Sequence, residues 1–330
     1  MNPISSHSSL PPAFGASLDA AASAAQQSMV ELFDVLAPAE GFTQTPLDGV
    51  KLMRSNRPVE RKPVMYEPSI VIVCQGRKLG FLGEEVYVYD AQHYLILSVP
   101  LPFSTETEAS EAEPMLAVTL RLDLIELTDL ILAIDRSGSH QEGTPLGIVS
   151  TPLEGDLAEA ALRLLQALTS PLDAEVLGPA IVREICYRVL IGERGAAMRA
   201  ALAHQGRFGR VAKALRRIHT DYAQPLDVSR LAEEAGMSVP AFHVNFKTVT
   251  LTSPIQYIKS TRLHQARLLM IRDGLTAASA SARVGYESPS QFSREFKRFF
   301  GRSPVDEARD MRASFALSPA ATFDAFSASH

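Results

Sequence analysis

Two stretches near the end of the chain repeat each other. "LAEEAGMSVPAFHVNFKTVTLTSP" (231–254) parallels "SARVGYESPSQFSREFKRFFGRSP" (281–304). Phe242, Phe246, Lys247, Ser253 and Pro254 recur 50 positions later as Phe292, Phe296, Lys297, Ser303 and Pro304, while Gly236 and Gly285 are 49 apart. A match over apolar and polar positions alike points to two copies of one supersecondary unit. Each copy reads as helix, Gly turn, helix. In the first, Asp227 can cap the leading helix, and Gly236 supplies the positive φ of the turn. Ser238 can cap the second helix, with Pro240 in its first turn, where a missing N–H does no harm. Phe242, Phe246 and Val249 are spaced to bury one stripe, and Phe292, Phe296 and Phe299 repeat it.

The second helix of such a unit has the dimensions to enter a major groove. In the second copy Ser290, Gln291, Ser293 and Arg294 occupy its first turns, where base edges would be met, and Lys297, Arg298 and Arg302 fall nearer the phosphates. The charge distribution supports this. Residues 1–207 carry 15 Lys/Arg against 26 Asp/Glu, and residues 208–330 carry 17 against 11, so a net −11 is followed by a net +6. A basic module on an acidic one predicts that only the C-terminal part meets a polyanion.

The 330 residues suffice for two domains. Residues 29–37 have helical spacing before Pro38, and 1–28 read as a flexible tail without a signal-peptide pattern. From about 50 to 123, "SIVIVCQG", "KLGFLG", "EEVYVYD", "HYLILSV" and "MLAVTLRLD" are short β-rich runs between turns, which argues for a small antiparallel barrel or sandwich. The acidic segment "STETEASEAEP" reads as an exposed loop. After 123 helical spacing dominates, and 313–330 read as a loose tail. No run of about 18 apolar residues occurs, so no membrane span is expected. Cys74 and Cys186, far apart in apolar stretches, fit buried thiols in a reducing cytoplasm.

The two repeats are joined by "SPIQYIKSTRLHQARLLM". With this segment and "RVGYESPSQFSREFKRFFGRSP", residues 208–312 resemble the DNA-binding domain of the AraC/XylS family of bacterial transcription regulators. "YEPSIVIVCQGRK" (66–78) and "YDAQHYL" (89–95) resemble the cupin-like effector domain of one subgroup. The expected fold is α+β and multidomain: a small antiparallel β-barrel with helices over 29–200, then an all-α domain with two helix-turn-helix motifs (about 227–250 and 276–300) around a linker helix (about 254–272). The resemblance implies sequence-specific binding to promoter DNA, with one helix of each repeat in neighbouring major grooves. It puts Pro240, His243 and Val244 on base-facing slots of the first recognition helix, with Lys247 beside them, and Ser290, Gln291, Ser293 and Arg294 on those of the second. Val244 departs from the common pattern, since valine can touch a thymine methyl but cannot pair with guanine. A cytoplasmic homodimer acting as an activator, with RNA polymerase and a small-molecule effector as partners, is the corresponding expectation.

A cupin-like barrel also raises metal chemistry. Such sites need several His and a carboxylate converging on one ion, yet the barrel stretch offers only His93, and no His-x-His pair exists. No metal, no cofactor and no catalytic constellation is expected, and an enzyme with a DNA-binding appendage is the least favoured reading. The barrel could hold an apolar or mixed ligand with Tyr66, Gln75, Phe81, Tyr87 and Tyr94 as candidates, or be a filled core that only dimerises or binds a partner protein. Alternation alone does not say which face these residues occupy. Arg57 and Arg61 in "RPVER" form an Arg-x-x-x-Arg pair suited to phosphates, the spacing that some cyclic-dinucleotide sites use.

Overall fold

The computed structural model describes residues 13–137, 145–202 and 207–316. The first unit begins with α1 (Ala13–Leu36) and continues through β1 (Gly41–Gln44), β2 (Val50–Ser55), β3 (Val59–Tyr66), β4 (Ser69–Gln75), β5 (Arg77–Leu82), β6 (Glu85–Asp90), β7 (His93–Leu97), β8 (Leu101–Glu108) and β9 (Met115–Arg121). After α2 (Leu124–Arg136) come β10 (Ile148–Pro152), α3 (Gly155–Leu168), α4 (Pro171–Ile191) and α5 (Gly195–Leu202). The second unit is helical: α6 (Arg207–Asp221), α7 (Val228–Glu234), α8 (Val239–Thr250), α9 (Pro254–Arg272), α10 (Ala277–Arg283), α11 (Pro289–Phe300) and α12 (Pro304–Ala316).

The strands form one antiparallel half-barrel in the order β1-β2-β9-β4-β7-β6-β5-β8-β3, with β10 also on β7. Along β4 the two-residue period sends Ile70, Ile72 and Cys74 to one face and Val71 and Val73 to the other. Both faces are covered, which is why "SIVIVCQ" is a continuous apolar run. On one side α1, α3 and α4 supply Phe33, Leu164 and Ile185. On the other, Leu97, Val99 and Leu101 share a core with Val211, Phe242, Phe246 and Tyr257 of α6, α8 and α9. The last three helices form a separate core around Phe292 and Phe296, to which α9 adds Leu263, Ala266 and Met270.

Several expectations change. The first helix starts at Ala13, not near residue 29, so part of the presumed tail is helical. "IVSTP", placed in a helical region by its surroundings, is a strand because Ile148–Pro152 finds an open antiparallel partner in β7, Ile148 against Leu97. Ser238 occupies the cap position of α8, but its side chain makes no capping hydrogen bond. Asp227 does cap α7, accepting from Ser229 N. The loose end expected from 313 is helical to Ala316, and 317–330 lie outside the described residues.

The two units are bolted together at Tyr257. Its buried hydroxyl donates to the Pro100 carbonyl at 2.5 Å, and His219 Nε2 lies 2.7 Å from the same oxygen. Burial lowers the His219 pKa to about 4, so the ring stays neutral there. A Cβ at Gly147 would come within 2.3 Å of the Val249 carbonyl, which measures how closely the half-barrel sits on the end of α8.

Candidate nucleic-acid interface and barrel cavity

The repeats fold as two helix-turn-helix units, α7–α8 and α10–α11. In both, the turn glycine has positive φ, Gly236 at 63° and Gly285 at 82°. Phe242 and Phe246, like Phe292 and Phe296, are fully buried. The opposite faces of α8 and α11 are left to solvent. Val244 (67% exposed) and Lys247 are open, and His243 is half-buried. On α11, Ser290, Gln291, Arg294, Lys297 and Arg298 are exposed. Ser293 is half-buried, and its Oγ donates back to the Pro289 carbonyl at 2.9 Å. Lys247, Arg294, Lys297 and Arg298 have no ion-pair partner among the described residues, so four cations face solvent on these two helices.

Glu295 organises this surface, although nothing in the repeat pattern singled it out. Its carboxylate accepts from Lys259 Nζ (2.8 Å), the Tyr286 hydroxyl (2.8 Å) and Gln291 Nε2 (3.2 Å). Burial opposes its charge, but the hydrogen bonds from Lys259, Tyr286 and Gln291 win and hold it below the ordinary carboxylate range. Gln291 is thereby oriented, with one of its two amide N–H groups on Glu295. Arg262 of α9 fixes the two units to each other. Its guanidinium donates to the Tyr222 and Gln224 carbonyls (2.7 and 2.9 Å) before α7 and to the Gly285 carbonyl (3.2 Å) in the second turn.

A cavity of about 510 Å³ opens between the inner face of the half-barrel and α9. Its walls include Met53, Tyr66, Val71 and Met115 from the strands, and His264, Arg267, Leu268 and Ile271 from α9. The charged groups on it are Lys51, Lys78, Arg121 and Arg267 against Asp48 and Glu67. Lys78 is 5% exposed, and its Nζ donates to the Tyr66 hydroxyl at 2.8 Å with no carboxylate in ion-pair reach among the described residues. His264 is buried edge-on against Phe299 and Phe300, and its Nε2 has no hydrogen-bond partner among the described residues. Burial and the neighbouring Arg267 push its pKa down to about 3, so it is neutral.

Of the ligand candidates Tyr66, Gln75, Phe81, Tyr87 and Tyr94, only Tyr66 lines this cavity. Phe81 faces a different cleft, where the Arg61 guanidinium stacks 3.9 Å above its ring. Arg57 turns away to Glu40 at 3.1 Å, so the Arg pair does not converge. Gln75 bonds the Pro114 carbonyl at another recess, Tyr87 packs on the sheet core, and Tyr94 is buried among the helices behind β7. Lys78 shares the two-residue period of Gly80 and Leu82 on the inner face. Among the described residues no group of three or more His, Cys, Asp or Glu could hold a metal ion, and no helix is long and apolar enough to cross a membrane. Cys74 and Cys186 are free and buried, each pushed up to about 12 by burial.

A half-barrel with a cavity against the linker helix, joined to two helix-turn-helix units, defines a two-domain protein. Known proteins carry the same pair. Residues 46–197 match the AraC-type transcriptional regulator N-terminus, and residues 231–322 match a helix-turn-helix domain. The chain thus pairs an AraC-type regulator N-terminal domain with a helix-turn-helix domain. It is 33% identical over 94 residues to the HTH-type transcriptional regulator AlkR of Acinetobacter baylyi, covering 28% of this chain and 31% of AlkR. It is 25% identical over 166 residues to the virulence regulon transcriptional activator VirF of Yersinia enterocolitica, covering 50% of this chain and 60% of VirF. The chain thus spans less than two thirds of either relative. Its fold is similar to that of ToxT from Vibrio cholerae solved with an unsaturated fatty acid bound: TM-score 0.54 at 10% identity, over 81% of this chain and 95% of that one.

Proposed function

We propose that the chain is a transcription regulator that binds promoter DNA with α8 and α11 in successive major grooves and answers to an anionic apolar effector in the barrel cavity. The observation that carries the DNA reading is the pair of recognition helices, each anchored by two buried phenylalanines with its unpaired cations and polar groups outward. One linker helix holds both, so one chain covers about two turns of DNA. Relatives named as transcriptional regulators and activators support that reading, and we extend activation, contact with RNA polymerase and a cytoplasmic location to this chain on the same footing. No catalytic role is assigned.

The test is binding of the full chain to a randomised duplex library. Arg294→Ala is expected to weaken the preferred site by about 1–3 kcal/mol and relax one base pair, because arginine pairs bidentately with guanine. Lys297→Ala is expected to weaken all sequences alike and lower the salt slope by about one unit. Unchanged preferences in Arg294→Ala would remove α11 from base reading.

The effector reading rests on Lys78, a buried ammonium without a carboxylate partner among the described residues, facing an otherwise largely apolar wall. A carboxylate there would complete the charge, and ToxT, solved with an unsaturated fatty acid, offers the ligand class to try first. Oleate at about 100 times its Kd should stabilise the full chain by about 2.7 kcal/mol. Lys78→Gln should lose that thermal shift. An equal shift in the variant would put the ligand elsewhere.

A further inference from the structure

The carboxylate of Glu295 is fixed from outside its own helix. Lys259 Nζ on α9 donates to Oε1 at 2.8 Å, and the Tyr286 hydroxyl, in the turn before α11, donates to Oε2 at 2.8 Å. The Glu295 side chain is only 14% exposed, and the Tyr286 ring stands edge-on to the buried Phe292, so the anchor is held on both sides. Gln291, one turn earlier on α11, donates from Nε2 to the same Oε1 at 3.2 Å. An ionised carboxylate accepts and cannot donate. It therefore decides which way round the Gln291 amide stands, with nitrogen toward Glu295 and the carbonyl oxygen away. The first repeat has no such arrangement. Its matching positions are Ala241, Asn245 and Met237, and Asn245 Nδ2 turns back to the Ala241 carbonyl at 2.7 Å.

We infer that Glu295 is a positioning residue for base choice: it holds the Gln291 amide so that α11 selects adenine at one base pair. The inference rests on the DNA reading above. With one N–H on Glu295, Gln291 keeps its carbonyl oxygen and its second N–H for a base edge. Adenine offers the matching pair in the major groove, a donor at N6 and an acceptor at N7. Guanine presents two acceptors, O6 and N7, and would set an acceptor against the fixed carbonyl. A glutamine free of the tether can turn its amide over and give N–H groups to guanine instead. The tether also removes side-chain freedom before DNA arrives, so less is lost on binding. Glu295 itself meets no base; it acts through Gln291.

Selection of sites by the full chain from a randomised duplex library tests it, read as the preference for adenine at the base pair that Gln291 contacts. Gln291→Ala is expected to lower that preference about tenfold and so to mark the base pair. Glu295→Ala and Glu295→Met, which put good helix formers on α11, should keep the native circular dichroism spectrum and lower the same preference at least about fivefold. Tyr286→Phe keeps the ring on Phe292, frees one carboxylate oxygen, and should lower it about twofold. In the Gln291→Ala background, Glu295→Ala should change that base pair no further, because the two residues act as one unit. A glutamate that only supported the fold would weaken all sequences alike and leave the preference unmoved. If Gln291→Ala lost the preference while the Glu295 and Tyr286 variants kept it, the tether would be overturned and the DNA reading would stand. A wild-type preference for guanine at the marked pair, or Gln291→Ala with unchanged preferences everywhere, would overturn the inference at Gln291 itself. A full chain that selected no sequence would end the DNA reading and this inference with it.

Discussion

Gly285→Ala is expected to destabilise the chain by about 2–5 kcal/mol, and Gly236→Ala, at the matching place in the first repeat, by only about 1–2 kcal/mol. Both glycines have positive φ, so both substitutions carry the left-handed penalty. The difference lies in the surroundings. At Gly236 a Cβ would meet nothing within 4 Å, whereas at Gly285 it would lie 2.4 Å from the Ala223 carbonyl oxygen. That carbonyl sits in the α6–α7 connection, between the Tyr222 and Gln224 carbonyls that Arg262 holds. Relieving the overlap means pulling apart the contact that Arg262 makes between the two repeats. Urea unfolding followed by circular dichroism measures both losses; the chain has no tryptophan to report by fluorescence. Equal losses at the two positions would show that the second turn has room the Ala223 contact denies it.

Arg267→Ala is expected to cost about 3–5 kcal/mol, the range for breaking a buried ion pair from one side. Arg267 and Glu307 are 2.7 Å apart, with side chains 7% and 10% exposed. The same guanidinium donates to the Pro63 carbonyl of β3 at 3.3 Å and stacks 5.0 Å from the Phe300 ring. Burial lowers the Arg267 pKa and Glu307 opposes the shift, so the pair is stable only as a pair. Removing arginine leaves the buried Glu307 carboxylate without its ion-pair partner, with only the charge of Lys62 still acting on it among the described residues. Arg267→Met combined with Glu307→Leu should recover most of the loss, because replacing both partners leaves no buried charge unpaired. A double-mutant cycle by denaturant unfolding reads the coupling. If the double variant were no more stable than Arg267→Ala, stacking and the β3 contact, not the ion pair, would carry the energy.

The paired helix-turn-helix units were legible because their signals are local. Glycine at a turn, proline in a first turn and phenylalanine at i and i+4 mean the same thing wherever the chain goes, and their duplication multiplies the signal. The half-barrel was legible as strands but not as a chamber. β10 is five residues long, and its identity depends on the open edge of β7, 51 residues earlier in register at Ile148 and Leu97. Tyr94 and Leu95 look equivalent in sequence, yet Tyr94 faces the helices and Leu95 the opposite core. Only the packed partner decides which face of β7 is which. Lys78 shares its parity with Leu82, but parity alone does not say which face of the sheet lines a cavity. Glu295 acquires its role from Lys259, 36 positions away, and no local pattern carries that pairing.

The shared core between the half-barrel and the first repeat sets where this chain can be cut and rejoined. A hybrid joined near residue 207 would bare Val99 and Leu101 on one piece and Phe246 and Tyr257 on the other, surfaces that fit only each other. The last three helices share their core with α9 through Leu263, Ala266 and Met270, so a graft of α10–α12 has to match those side chains as well as the Arg262 clamp, the Ala223 contact and the Arg267–Glu307 pair. Helix α9 thus belongs to both cores, with Tyr257 in one and Met270 in the other, so an exchange of the terminal helices has to bring a matching α9 and a swap of the whole helical half its own barrel.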